Sequence, residues 1–208
     1  MQGLFCVIEG IDGSGKSTLH RALQSLAWDI PVLFTREPTD GPFGQKIRQS
    51  LARDHEQKYW IELFMADRAW NMAEKVQPAL TRGALVIQDR SFFSTAAYQG
   101  DGNLSAAEIV AESRKRFPEP ELVLFLEIDP ERAMERTGLR SNRDSFERND
   151  QFLREVNDRY KTVLPAGTIR LDATLPAADL QRQVQRIIVE RWQEKQKRDH
   201  EDIHTQRR

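Results

Sequence analysis

Short apolar runs alternate with helical stripes along the 208 residues. Residues 4–9 form an apolar run that ends at glycines, the pattern of a buried strand entering a loop. A helix is predicted over 16–27 and a second strand over 31–36. Ile47 and Leu51, four apart, mark an amphipathic helix over 43–53. A long helical stretch covers 57–82, with Trp60, Leu63, Phe64 and Trp70 toward one face and polar Asp67 interrupting it. Pro78 bends or splits that stretch, and Gly83 suits its C-cap. A third strand follows at 84–89 and a helix at 92–99, broken by Gly100–Gly102. Ser105 and Glu108 make a capping box ahead of Ile109. Residues 122–128 form a fourth strand, Pro130 opens a helix, 150–163 is helical and 168–171 is a fifth strand. Pro176 opens the last helix. From Gln193 onward the chain is almost wholly charged or polar, which fits a solvated helix end or a disordered tail.

This alternation predicts an α/β fold, a five-stranded parallel sheet flanked by helices on both faces. The length and the 39% hydrophobic content fit one domain over 1–208. A net charge of −1 argues against a broad basic surface for nucleic acid. No run approaches the ~18 apolar residues of a membrane span. The N-terminus lacks the basic start and long apolar stretch of a signal peptide. Cys6, the one cysteine, excludes an internal disulfide and fits a reducing compartment, so a cytoplasmic location is expected.

The first glycines carry the chemistry. Gly10, Ile11, Asp12, Gly13, Ser14, Gly15, Lys16 and Ser17 match G-x-x-x-x-G-K-[ST], between a predicted strand and a predicted helix. Glycines let the loop wrap a phosphate without Cβ clashes, and the backbone N–H groups and helix N-terminus then face the anion. Lys16 adds charge near the β- and γ-phosphates, and the Ser17 hydroxyl can reach Mg2+. Asp89, at the end of the third strand, stands where a carboxylate associated with Mg2+ belongs. The expected architecture is therefore a three-layer P-loop NTPase fold, and the expected small molecules are ATP and Mg2+.

EGIDGSGKST (9–18), TREP (35–38), LFMADR (63–68), DR (89–90), STAAYQG (94–100) and LDAT (171–174) stand in order along nearly the whole chain. In this ordered set the sequence resembles the thymidylate kinases. The resemblance implies transfer of the γ-phosphate of ATP to dTMP, giving dTDP for dTTP synthesis, by a homodimer. It implies that Asp12 lies near the acceptor sugar and the reacting phosphates, that Thr18 continues the ATP site, and that Arg36 and Arg90 lie near the acceptor, Arg90 holding its phosphate. Phe64 would stack on thymine and Arg68 would bond a base carbonyl; four apart, they share a helix face. Ser94, Tyr98 and Gln99 would line the thymine and deoxyribose pocket, with Tyr98 helping to exclude a 2′-OH.

Some members of the family carry an arginine at the position of Gly13. Its absence points instead to a basic lid at 136–148, with Arg136, Arg140, Arg143 and Arg148. Arg143 is the first choice for the catalytic arginine beside Lys16, Asp12 and Arg90, and Arg140 is the second and an ATP contact. Such a lid would exclude water, the competing acceptor. The chain departs from the family in having Ser91 after the DR pair, where an aromatic or imidazole side chain is usual. A deoxynucleoside kinase is the alternative enzyme, suggested by Asp89-Arg90-Ser91, and a non-catalytic nucleotide-binding regulator is the alternative of another class. A P-loop GTPase is disfavoured, since no N-K-x-D segment is present.

Overall fold

The computed structural model of the protein describes residues 3–53, 55–137 and 143–206, with side chains omitted over 143–150 and 202–206. Five parallel strands are β1 (Phe5–Glu9), β2 (Val32–Arg36), β3 (Leu85–Asp89), β4 (Leu122–Glu127) and β5 (Ile169–Asp172), in the order β2-β3-β1-β4-β5. Position explains composition. The inner strands β1 and β3 are buried along their whole length, so FCVIE and LVIQD are continuous rather than alternating. The edge strands β2 and β5 are only partly covered.

The helices are α1 (Lys16–Gln24), α2 (Pro42–Ser50), α3 (Gln57–Asn71), α4 (Gln77–Thr81), α5 (Phe92–Gln99), α6 (Ala106–Arg116), α7 (Pro130–Thr137), α8 (Arg143–Val163) and α9 (Ala177–Gln206). α1 packs against α9, while α3, α6 and α8 gather around α5. Together with the sheet these give the expected three-layer α/β architecture. The chain leaves β1 through α1 to β2 and returns to β3, which lies between them. Crevices at the carboxyl ends of such strands are where open α/β sheets bind ligands. In register, Ile8 pairs with Asp89 and Asp89 with Arg36, which brings the segments after β1, β2 and β3 together at that edge.

The long helical stretch is continuous, but its hydrogen bonding changes. Met72–Val76 is π-helical, with the Gln77 N–H reaching back to the Met72 carbonyl. The wide turn falls just before Pro78, which cannot donate an N–H and would crowd the carbonyl four residues earlier in an α-helix. Asp67, the polar break in the stripe, is fully buried and accepts from Thr39 N at 2.8 Å and Thr39 Oγ1 at 2.6 Å. It secures the loop after β2. The Ser105–Glu108 capping box forms as expected. Beyond Gln193 the chain continues as α9, and Lys195 is buried against Glu121 at 2.7 Å, so that part of the charged end is docked. Among the described residues, no helix is long and apolar enough to cross a membrane.

Candidate active site

The loop after β1 closes on itself. Ser14 N bonds the Ile11 carbonyl at 3.2 Å, and Lys16 Nζ bonds the same carbonyl at 2.8 Å. Gly13 has φ +82°, and a Cβ there would lie 2.1 Å from the Ala133 carbonyl of α7. No arginine fits at that position without moving α7, a physical reason for the loop to be without one. Gly15, at φ +94°, turns the chain into α1. A cavity of about 500 Å³ opens over this loop. Asp12 to Thr18 line it on one side, with Arg136, Ala173 and Leu175 opposite; Gly10 and Ile11 lie behind. Arg136 is anchored by Nη1 to the Ala173 carbonyl at 2.9 Å.

Lys16 is buried, and burial is the main cause that pulls its amine down to about 7, with the nearby Arg90 charge adding to the effect. The energy of a buried ammonium rises without an anion beside it, so the site is electrostatically prepared for polyphosphate. Ser17 Oγ donates to Asp89 Oδ2 at 2.9 Å, while the buried Asp89 Oδ1 has no hydrogen-bond partner among the described residues. A hydroxyl beside a carboxylate with a spare oxygen suits Mg2+, which takes one or two protein ligands plus substrate phosphates. Among the described residues no cluster of three His, Cys, Asp or Glu offers a full protein cage.

A second cavity, of about 360 Å³, lies across the sheet edge. Pro38, Ile47, Leu51, Trp60 and Phe64 supply its apolar wall, and Arg68, Ser94, Tyr98 and Gln99 supply polar groups. Among the described residues it shares only Asp12 and Arg90 with the first. Those two are ion-paired at the junction. Arg90 sits at φ +71°, a left-handed backbone rare outside glycine. Its Nη1 reaches Ser94 Oγ at 3.2 Å, and its guanidinium carbon lies 5.1 Å from the Tyr98 ring centre. Tyr98 accepts the Asp12 N–H at 2.8 Å and is pushed up to about 12, first by burial.

Arg68 is 1% exposed and rests in a polar relay. Its Nη2 donates to Glu37 Oε2 at 2.7 Å and to Thr95 Oγ1 at 2.9 Å. Gln88 donates to Glu37 Oε1 at 3.1 Å and to the Arg90 carbonyl at 2.8 Å, linking both arginines of the cavity. Asn71 Nδ2 bonds Gln88 Oε1 at 3.0 Å. Arg68 Nε, buried, has no hydrogen-bond partner among the described residues.

The structure thus brings together Asp12, Lys16, Ser17, Asp89 and Arg90, and around the second cavity Phe64, Arg68, Ser94, Tyr98 and Gln99. Arg36 is placed apart: exposed, bonded to Asp40 at 2.8 Å, and not among the lining residues. Arg140 and the side chains of Arg143 and Arg148 lie outside the described residues; the backbone of Arg143 begins α8. Sequence reasoning missed Glu9, Glu37, Gln88 and Tyr160. Glu9 and Glu37 fall inside the EGIDGSGKST and TREP segments but were given no role there, while Gln88 and Tyr160 lie in a strand and a helix with no local motif to mark them. Trp60 was noticed for its spacing, not as cavity wall.

The thymidylate kinase model matches residues 8–184, most of the chain. The chain belongs to the thymidylate kinase family. It is 33% identical to a probable thymidylate kinase of Archaeoglobus fulgidus over 189 residues, covering 89% of this chain and 94% of that one. It is 37% identical to a thymidylate kinase of Leptospira borgpetersenii over 175 residues, covering 81% and 85%. Identity to a thymidylate kinase of Xanthomonas campestris is 33% over 190 residues, covering 90% and 83%. The activity that the family carries, ATP-dependent phosphorylation of thymidylate, is this chain's activity. Two cavities joined at one charged pair are what a thymidylate kinase needs to bring two phosphorylated substrates end to end.

Proposed function

We propose that ATP occupies the cavity over the loop after β1, that thymidylate occupies the second cavity, and that their phosphates meet at Asp12 and Arg90. The observation that carries this assignment is the sharing of only those two residues by the two cavities. Phosphoryl transfer depends chiefly on positioning and on charge stabilisation, and a shared junction serves both.

In this reading the backbone from Gly13 to Thr18 and Lys16 hold the polyphosphate. Ser17 and Asp89 would hold Mg2+, which would supply charge neutralisation for the polyphosphate. Arg90 leaves its partner Asp12 to grip the acceptor phosphate, a bidentate task suited to a guanidinium. Arg36 joins it only by releasing Asp40. Phe64 stacks on thymine, and the unpaired Arg68 Nε faces a base carbonyl. Tyr98, held against the Asp12 backbone, fills the space a 2′-OH would need. Arg143, with Arg140 second, is the arginine assigned to the transferring group, and Arg136 flanks the nucleotide from α7. A homodimer completes the reading on the strength of the family resemblance. A cytoplasmic setting rests on the single cysteine, Cys6, which is buried and unpaired.

A coupled ADP-release assay with Mg·ATP tests it, run with thymidylate, deoxyuridylate, the other monophosphates and free thymidine. Turnover confined to thymidylate, or shared weakly with deoxyuridylate, is expected. Preference for thymidine would transfer the chain to nucleoside phosphorylation and leave Arg68 and Arg90 without their roles.

A further inference from the structure

Glu9 ends β1, immediately before the phosphate loop, and is fully buried. Three hydroxyls from two other elements converge on it. Ser91 Oγ donates to Oε1 at 2.6 Å, Ser94 Oγ donates to Oε2 at 2.6 Å, and Tyr160 OH lies 3.0 Å from Oε2. Tyr160 OH is also 2.7 Å from Ser94 Oγ. Tyr160 is fully buried, and Ser91 and Ser94 nearly so. Burial raises the Glu9 carboxyl above its usual range, opposed by these hydroxyls and by Arg90.

Proton counting makes the cluster directional. A hydroxyl has one proton and two lone pairs. With its proton committed to Glu9, Ser94 can only accept toward other neighbours, and one of those is Arg90 Nη1 at 3.2 Å. Without the carboxylate the Ser94 proton could turn toward the guanidinium and repel it. Asp12, another side-chain anchor of Arg90, is about half exposed and must let go when a phosphate arrives. Among the described residues Ser94 is then the hydrogen-bonding side chain that still supports the guanidinium, beside the Tyr98 ring. Ser91 caps α5 by accepting from Phe93 N and occupies the second oxygen of Glu9.

Tyr160 extends the cluster to α8. That helix also lays Phe152 against Tyr98, with ring centres 6.0 Å apart, and Arg159 Nη1 on the Ala97 carbonyl at 3.1 Å. We propose that Glu9, Ser91, Ser94 and Tyr160 are positioning residues for the acceptor phosphate. The buried carboxylate fixes the Ser94 hydroxyl so that its lone pairs hold the Arg90 guanidinium at the mouth of the acceptor cavity, and Tyr160 ties that arrangement to the helix following the basic segment.

The proposal rests on Arg90 as holder of the acceptor phosphate, and its test keeps the two apart. Binding of thymidylate and of free thymidine is measured by calorimetry on the full chain, for the unaltered protein and for Arg90→Ala, Tyr160→Phe and Ser91→Ala. Thymidine lacks only the phosphate, so a defect in presenting Arg90 weakens thymidylate alone. For Tyr160→Phe, which keeps the packed ring, we expect about a tenfold weaker thymidylate affinity, the scale of a hydrogen bond to a charged group, with thymidine within about twofold. Ser91→Ala should move in the same direction if Tyr160→Phe proves poorly folded by melting. In an Arg90→Ala background Tyr160→Phe should add nothing. Equal weakening of both ligands, no weakening of either, or a full additional loss in the Arg90→Ala background would overturn the proposal. If Arg90→Ala itself fails to distinguish thymidylate from thymidine, the reading of Arg90 falls first.

Discussion

The two cavities of this kinase are built by opposite means. Over the phosphate loop the groups proposed to bind are backbone amides, Lys16 and the Ser17 hydroxyl, contributed by neighbouring residues. Around the second cavity the groups are side chains from α2, α3, α5 and the segments after β1, β2 and β3, backed by Glu9 and Glu37, two buried carboxylates far apart in sequence. A backbone cradle needs little beyond glycines and a helix N-terminus, and its polar groups meet water or ligand directly. A side-chain cradle buries charge, so each member depends on the others. Damage at the donor end should thus appear in turnover, and damage at the acceptor end in stability as well.

The sharpest way to break the contrast is Glu37→Ala. It strands Arg68 in the interior, and loss of one partner of a buried pair costs about 3–5 kcal/mol. Urea denaturation should show that loss; a change near zero would mean the relay carries no structural weight. Lys16→Ala should reduce kcat by roughly 100- to 1000-fold, the scale of a lost charge-stabilising donor. Because the native state holds this amine at about 7 against 10.5, the unfolded chain binds the extra proton between those values. Stability from this group therefore rises with pH across that window and is least below it. Removal of Lys16 should leave the melting midpoint at pH 7 unchanged or higher, and a large drop would contradict the comparison.

Smaller effects sharpen it further. Phe64→Ala should weaken thymidylate by about 1–3 kcal/mol, the range for base–aromatic stacking, without touching ATP affinity. Titration calorimetry with each nucleotide checks both halves. Finest of all is a proton count. Polyphosphate favours the charged Lys16, so ATP binding at pH 8 should take up part of a proton, measured in buffers of differing ionisation enthalpy. Zero uptake would mean that Lys16 is charged before the nucleotide arrives.

The same contrast explains what was legible from residues alone. The phosphate loop, Asp89 and Arg90 announce themselves because their chemistry is contiguous or sits at strand ends. The sheet was legible for a similar reason: buried parallel strands are unbroken apolar runs. Glu9, Gln88 and Tyr160 were not, because a polar residue at the end of an apolar strand or inside a helix has many fates, and only the register of β1 with β3 and the packing of α8 on α5 bring them to Arg90. Asp67 looked like a flaw in a stripe for the same reason, since its partner Thr39 lies on another segment. Most strand and helix ends moved by a few residues, as caps and terminal turns allow, but α8 begins at Arg143, well before the expected start at residue 150.

Arg90 also bears on any attempt to improve this enzyme. Its left-handed backbone is one that glycine adopts freely and that other residues adopt at roughly 1–3 kcal/mol. Heat resistance and turnover therefore pull against each other at that position. A library screened only for survival at high temperature could enrich glycine there and yield a sturdier protein that no longer grips its acceptor.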